Sequence, residues 1–221
     1  FAAEDNVKTY TLSLEDAKKM AYTDNLQLQA VEFKKQSSDI SLKGAKESKS
    51  ALKQQTNAMG KLGIATAAST QVGLVRNGYY VDLFESQSGL AKSELIQVQN
   101  KISYDVTEKY YNYKLAERLL EVYKNSEELA KTNYETIKKQ YELGAAAKVD
   151  LEGAEAGVKQ ASAAAEAYER GLELSAENLA ISLNVDYPCN FVLTDTLSFV
   201  PFESDVENDI KEAEGKRYDI K

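Results

Sequence analysis

Histidine is missing from all 221 residues, so the usual proton shuttle near neutral pH and the commonest zinc ligand are both absent. Cysteine occurs once, at Cys189, which rules out an internal disulfide and a thiolate-rich metal site. Beside Pro188 and Phe191 it reads as a small buried residue rather than a reactive thiol. Only 2 prolines and 11 glycines are spread along the chain, too little turn chemistry for a many-stranded sandwich or barrel. Long apolar runs are lacking too. The longest uncharged one, Leu62 to Val75, falls short of the roughly 18 to 20 residues of a membrane-spanning helix and is rich in Thr, Ser and Gln. No basic block interrupts a formal charge of -8, which argues against a nucleic-acid backbone as partner. With no glycine-rich phosphate loop and no nucleophile elbow either, the chain is not expected to be an enzyme or to carry a cofactor or metal.

What is present favours helices: 43% hydrophobic and 28% charged residues make a foldable mixture, and the apolar positions repeat at helical spacing. "SLED" sets the hydroxyl of Ser13 three residues before Asp16, a helix-start signal for a short helix ending near Asp24 or Asn25. Leu26 to about Met59 also suits helix, with Val31, Phe33, Ile40, Leu42 and Leu52 as larger apolar members but a poor seam.

The next segment is clearer. Val81, Phe84, Ser88, Ala91, Leu95, Val98 and Ile102 alternate in steps of three and four, the period of a coiled coil. After a local shift through Val106 and Tyr110 the period resumes at Tyr113, Ala116, Leu120, Tyr123, Glu127, Ala130, Tyr134, Ile137 and Tyr141, with Glu127 the one charged intruder. One helix over about 79 to 142 is about 95 Å long at 1.5 Å per residue. A second seam, Leu151, Ala154, Val158, Ala161, Ala165, Tyr168, Leu172, Ser175 and Leu179, is mostly small and matches a large-residue partner. Leu143 to Val149 therefore reads as the tip of an antiparallel hairpin, Gly144 closing the first helix with a positive φ and Asp150 capping the second.

After Asn184 the texture turns β-branched and aromatic, an extended connector with one or two short strands, and the final stretch is helical again. "LSLEDAKKMAYTDNLQL" and "SDVENDIKEAEGKRYDI" share a pattern at an offset of 192 residues, with Ala21 matching Ala213 and Leu28 matching Ile220. The expected organisation is a long-helix hairpin domain over 1–184, then a connector and the start of a second repeat over 185–221.

These elements, in this order, resemble the TolC-like outer-membrane efflux family across nearly the whole chain. The opening "LSLEDAKKMAYTDNLQL", the aromatic-pair helix "VTEKYYNYKLAERLLEVY", the tip "YELGAAAKVDLEGA" and the link "LTDTLSFVPFESDVENDIKEAEGKRYDIK" carry the likeness. The resemblance implies an all-α fold of long antiparallel coiled-coil-like hairpins with a small equatorial connector. The chain would be the amino-terminal one of two tandem repeats. It also implies a passive duct, a homotrimer in the full-length protein, whose tips dock a periplasmic adaptor (membrane fusion) protein attached to an inner-membrane transporter. The adaptor-docking turn falls on Leu143, Gly144 and Ala145, followed by Val149 and Asp150; Ala145 stands where family members commonly carry a larger aliphatic. The opening "FAAEDN" reads as a mature start after removal of a signal peptide. The expected location is the cell envelope: outer membrane and periplasm, or the cell surface of a single-membrane cell.

Family members usually insert two barrel strands of about 9 to 11 residues each. Only about Gly60 to Gly78 is left for them here, without sustained alternation, so the expectation is a loop or helical turn and a barrel reduced or missing. "ESDVENDI" begins like a calcium loop with Asp205, Glu207 and Asp209, but Ile210 replaces the required glycine and the distal glutamate fails. Asp150 and Glu152 point different ways on a helix and form no acid-base pair. The 14 tyrosines read as packing residues, with hydroxyls reaching the wet edge of the seam. Exposed seams of a half-repeat would pair by dimerising or swapping helices. The alternative to a duct is an extracellular helical-bundle scaffold or adhesin with no transport activity.

Overall fold

The computed structural model describes residues 8–23, 25–62, 70–196, 201 and 205–217. Among them the elements run β1 (Lys8–Leu12), α1 (Leu14–Thr23), α2 (Leu26–Lys61), α3 (Thr70–Asn77), α4 (Tyr79–Glu142), α5 (Lys148–Ser182), β2 (Cys189–Leu193) and α6 (Val206–Lys216). The fold is all-α with long helices, and α4 is one helix of 64 residues, as the heptads predict. The described residues sort into two compact units: one holds 8–23 and 102–196, the other 25–101, 201 and 205–217.

In the first unit the largest side chains sealed from solvent are Tyr110, Leu179, Leu183 and Val106. They lie with Ala17 and Ala21 of α1, Ala180 of α5, and Cys189, Phe191 and Leu193 of β2, all of them buried. β1 and β2 pair in parallel, with Lys8 opposite Cys189 and Leu12 opposite Leu193. β2 alternates cleanly, its odd-numbered residues buried and Asn190 and Val192 exposed, the pattern of a sheet with one wet face. β1 is not foreshadowed in the sequence. "KTYTL" has only Tyr10 and Leu12 as apolar members, and its partner lies 193 − 12 = 181 residues away.

Each α5 residue from Leu151 to Leu179 named above is buried or half-buried, and so is every α4 seam residue from Tyr113 to Ile137. Tyr141 alone is exposed. Tyr123 stacks on Tyr168, Lys124 pairs with Glu169 at 3.0 Å, and Glu127 hydrogen-bonds Ser162. The charged intruder is thereby provided for. Lys131 lies 2.6 Å from Glu127, and its hydrogen bond, joined by that of Ser162, holds the Glu127 carboxyl below its usual range.

In the second unit Asn25 caps α2, accepting from the Leu28 N–H at 2.9 Å. Its seam is longer than the sequence suggests: Leu28, Val31, Lys35, Ser38, Leu42, Ala45, Lys49, Leu52, Thr56 and Met59 are all at least half-buried, in steps of three and four. Lysines, serine and threonine at these positions hide the period from a hydrophobicity reading. Lys35 donates to Asp39 at 2.8 Å and Ser88 of α4 donates to the same carboxylate at 2.6 Å, so Asp39 is held below the usual carboxylate range, chiefly by Lys35. Lys34 with Glu94 and Lys46 with Glu85 continue the α2 and α4 pairing in reverse sequence order.

Within Gly60 to Gly78, where a loop or helical turn is expected, the described residues are mostly helix. α2 runs on to Lys61 and α3 occupies Thr70–Asn77, while 63–69 lie outside the described residues. Gly78, at φ +87, turns α3 into α4; its missing side chain leaves room for the end of Lys49. In α6 the Asp205 carboxylate accepts from the Asn208 N–H at 3.3 Å. Asp205 stands 205 − 13 = 192 residues after Ser13, whose hydroxyl caps α1 by accepting from the Asp16 N–H at 3.2 Å.

Candidate functional site

The predicted docking turn lies together at the α4–α5 connection. Gly144, at φ +75, ends α4 in a Schellman motif: the Ala145 N–H donates to Gln140 O at 2.7 Å and the Gly144 N–H to Tyr141 O at 2.9 Å. α5 starts at Lys148, so Val149 and Asp150 belong to its first turn and the connection is shorter than Leu143 to Val149. Asp150 is not the cap. Ala147 occupies that position, and the Asp150 carboxylate reaches back to accept its N–H at 3.1 Å, half of a capping box whose other half an alanine cannot supply. Leu143 and Val149 are 84% and 69% exposed, two aliphatics left bare among the described residues. All five predicted residues are exposed.

A second cluster, missed in the sequence, ties the sheet to α4. The Tyr110 hydroxyl donates to Asp195 Oδ2 at 2.8 Å, with Leu12 O 3.2 Å away, and the Leu14 N–H at the start of α1 donates to the same carboxylate oxygen at 2.6 Å. One turn on, the Tyr113 hydroxyl donates to Phe191 O at 3.2 Å and Lys114 Nζ to Leu193 O at 2.9 Å. α4 thus supplies partners for two β2 carbonyls. The signal was in "VTEKYYNYK", read only as an aromatic pair; the phase shift Ile102, Val106, Tyr110, Tyr113 marks where α4 leaves one packing partner for another.

The electrostatics fit a structural pin rather than a reactive group. Burial, then the Asp195 hydrogen bond, pushes Tyr110 up to about 12. Asp195 is held below its usual range, first by the Leu14 N–H and then by Tyr110. Burial also raises the Cys189 thiol, which keeps it protonated and unreactive. Because folded Tyr110 holds its proton more tightly than the unfolded residue does, its contribution is complete below pH 10 and is lost as pH rises from 10 towards about 12. Urea titrations across that range are expected to show a steeper fall in stability for the wild type than for Tyr110→Phe. Equal slopes would remove Tyr110 as the cause.

A third feature is an apolar stripe left bare. On α4 the exposed Leu83, Leu90, Tyr104, Tyr111, Leu115, Val122 and Leu129 recur in steps of seven, with Gln97 in the one polar slot. The step from Tyr111 to Leu115 is four, so this stripe carries the same slip as the covered seam. On α5 Leu174 and Ile181 hold the corresponding heptad position, and on α2 Leu26, Phe33 and Ile40 form a further exposed row of period seven.

Among the described residues no helix is long and apolar enough to cross a membrane, and no three His, Cys, Asp or Glu side chains are grouped to hold a metal ion. Comparison with known proteins finds no family model, no curated protein and no solved structure that matches this chain.

Proposed function

We propose that this chain is a structural part of a passive export duct of the TolC-like kind, acting through lateral assembly of its long helices and docking at its hairpin tip. The bare stripe on α4 carries the reading. A lone hairpin needs one seam per helix, whereas α4 has two of the same period with the same slip. Such a helix is suited to flanking on two sides, like a stave in a closed ring, and exposed apolar rows of this extent mark interaction surfaces.

On this reading the chain is the first of two tandem repeats, and the full-length protein is a homotrimer in the cell envelope. Leu143, Gly144 and Ala145, with Val149 and Asp150, meet a periplasmic adaptor protein that links the duct to an inner-membrane transporter. Transport requires no chemistry of the duct, in keeping with a chain that has no histidine.

Light scattering over a concentration series tests the stripe. The purified chain is expected to self-associate, and Leu90→Lys combined with Leu129→Lys to return it to monomer with its helical circular dichroism unchanged. A wild-type chain that stays strictly monomeric at high concentration sinks the reading. A full-length gene with one hairpin followed by a surface anchor would favour a scaffold or adhesin instead.

A further inference from the structure

Tyr123 of α4 and Tyr168 of α5 lie ring over ring, centroids 3.8 Å apart and planes 15° apart, with the two phenol oxygens 3.1 Å from each other. Oxygen over oxygen means the pair is stacked head to head, so the carbons ortho to each hydroxyl also face their counterparts. Aromatic pairs ordinarily slide off-centre or turn edge-on, because superposed faces repel. The other aromatic pairs described here have centroids 5.5 to 5.9 Å apart. A hydrogen bond between the hydroxyls and the adjoining Lys124–Glu169 ion pair hold this one in place. Both rings are half-buried, leaving an edge of each within reach of solvent.

We propose that Tyr123 and Tyr168 form an oxidative cross-linking site that a haem peroxidase with hydrogen peroxide converts to an intrachain dityrosine. Each phenol gives up one electron and its O–H proton; the peroxide takes both electrons and both protons and leaves as two waters. The resulting radicals have spin density on the ortho carbons, and one carbon–carbon bond forms between the rings. The hydrogens displaced from those carbons move to the oxygens and restore both phenols. Because the rings are already in contact, the second radical need not diffuse to the first. The bond would close a loop over a sequence separation of 45 residues, tying α4 to α5 in a chain whose single cysteine is buried and has no disulfide partner. It requires only that these two helices pack as described, and is independent of the duct reading.

The test treats the folded chain with peroxidase and peroxide, isolates the monomer and digests it with trypsin. The expected product joins "LLEVYK", residues 119–124, to "QASAAAEAYER", residues 160–170, with the blue dityrosine fluorescence and a mass two hydrogens below the sum. Tyr123→Phe and Tyr168→Phe should each abolish that peptide while leaving helicity intact. The linked monomer should also unfold at higher temperature than the untreated one. Cross-links found only between chains, or an intrachain link mapping to other tyrosines, would overturn the proposal. The peptide map of the wild type decides this even if a variant folds poorly.

Discussion

Tyr110→Ala is expected to destabilise the chain by about 3 to 5 kcal/mol, the range for deleting a large aromatic from a closed core. The side chain is fully buried, and its hydroxyl lies within hydrogen-bond distance of both Asp195 and the Leu12 carbonyl. Its loss leaves a cavity and takes a partner from a carboxylate that also holds the start of α1. Tyr110→Phe keeps the ring and should cost about 1 to 2 kcal/mol, since Asp195 retains the Leu14 N–H. Combining Tyr110→Phe with Asp195→Asn in a double-mutant cycle should give a coupling of about 0.5 to 3 kcal/mol. Urea unfolding followed by circular dichroism measures all of these. A Tyr110→Ala variant as stable as the wild type would mean that the sheet is not pinned through this residue.

Leu179→Ala is expected to cost about 2 to 5 kcal/mol in the same assay, whereas Leu174→Ala should cost almost nothing in the isolated chain. Both are leucines on α5, but Leu179 is fully buried and Leu174 is 60% exposed on the bare row. If assembly uses that row, Leu174→Ala weakens self-association instead of folding. Equal costs in the folding assay would erase the distinction between covered and bare seams.

The long helices were legible because a three-four alternation kept for dozens of residues has no competing explanation. It gives α4 its ends at Tyr79 and Glu142 and a run of α5 residues from Leu151 to Leu179 that are all at least half-buried, though not the buried Ala176 and Ala180. α2 was harder, because Lys35, Ser38, Lys49 and Thr56 occupy its seam, with Lys35 donating to Asp39, Ser38 to the Lys34 carbonyl and Thr56 to the Leu52 carbonyl. Asp150 was assigned to the cap because a carboxylate at a helix start serves equally well there and three residues in, and sequence alone does not separate the two. β1 was invisible since its strand character comes from β2, far along the chain. The pin at Asp195 was invisible for the same reason: "LTDT" announces nothing until Tyr110 and the end of α1 are brought to it.

Parallel pairing of the first described strand with one 181 residues downstream has a consequence for synthesis. All of α1 to α5 must leave the ribosome before β1 can meet its mate, and closing so wide a circuit is entropically slow. Assembly of this unit therefore ends with the sheet. Until then Tyr110 waits for Asp195 and Lys114 for the Leu193 carbonyl, and a nascent chain cut short between Ser182 and Cys189 would have α1 to α5 but not its clasp.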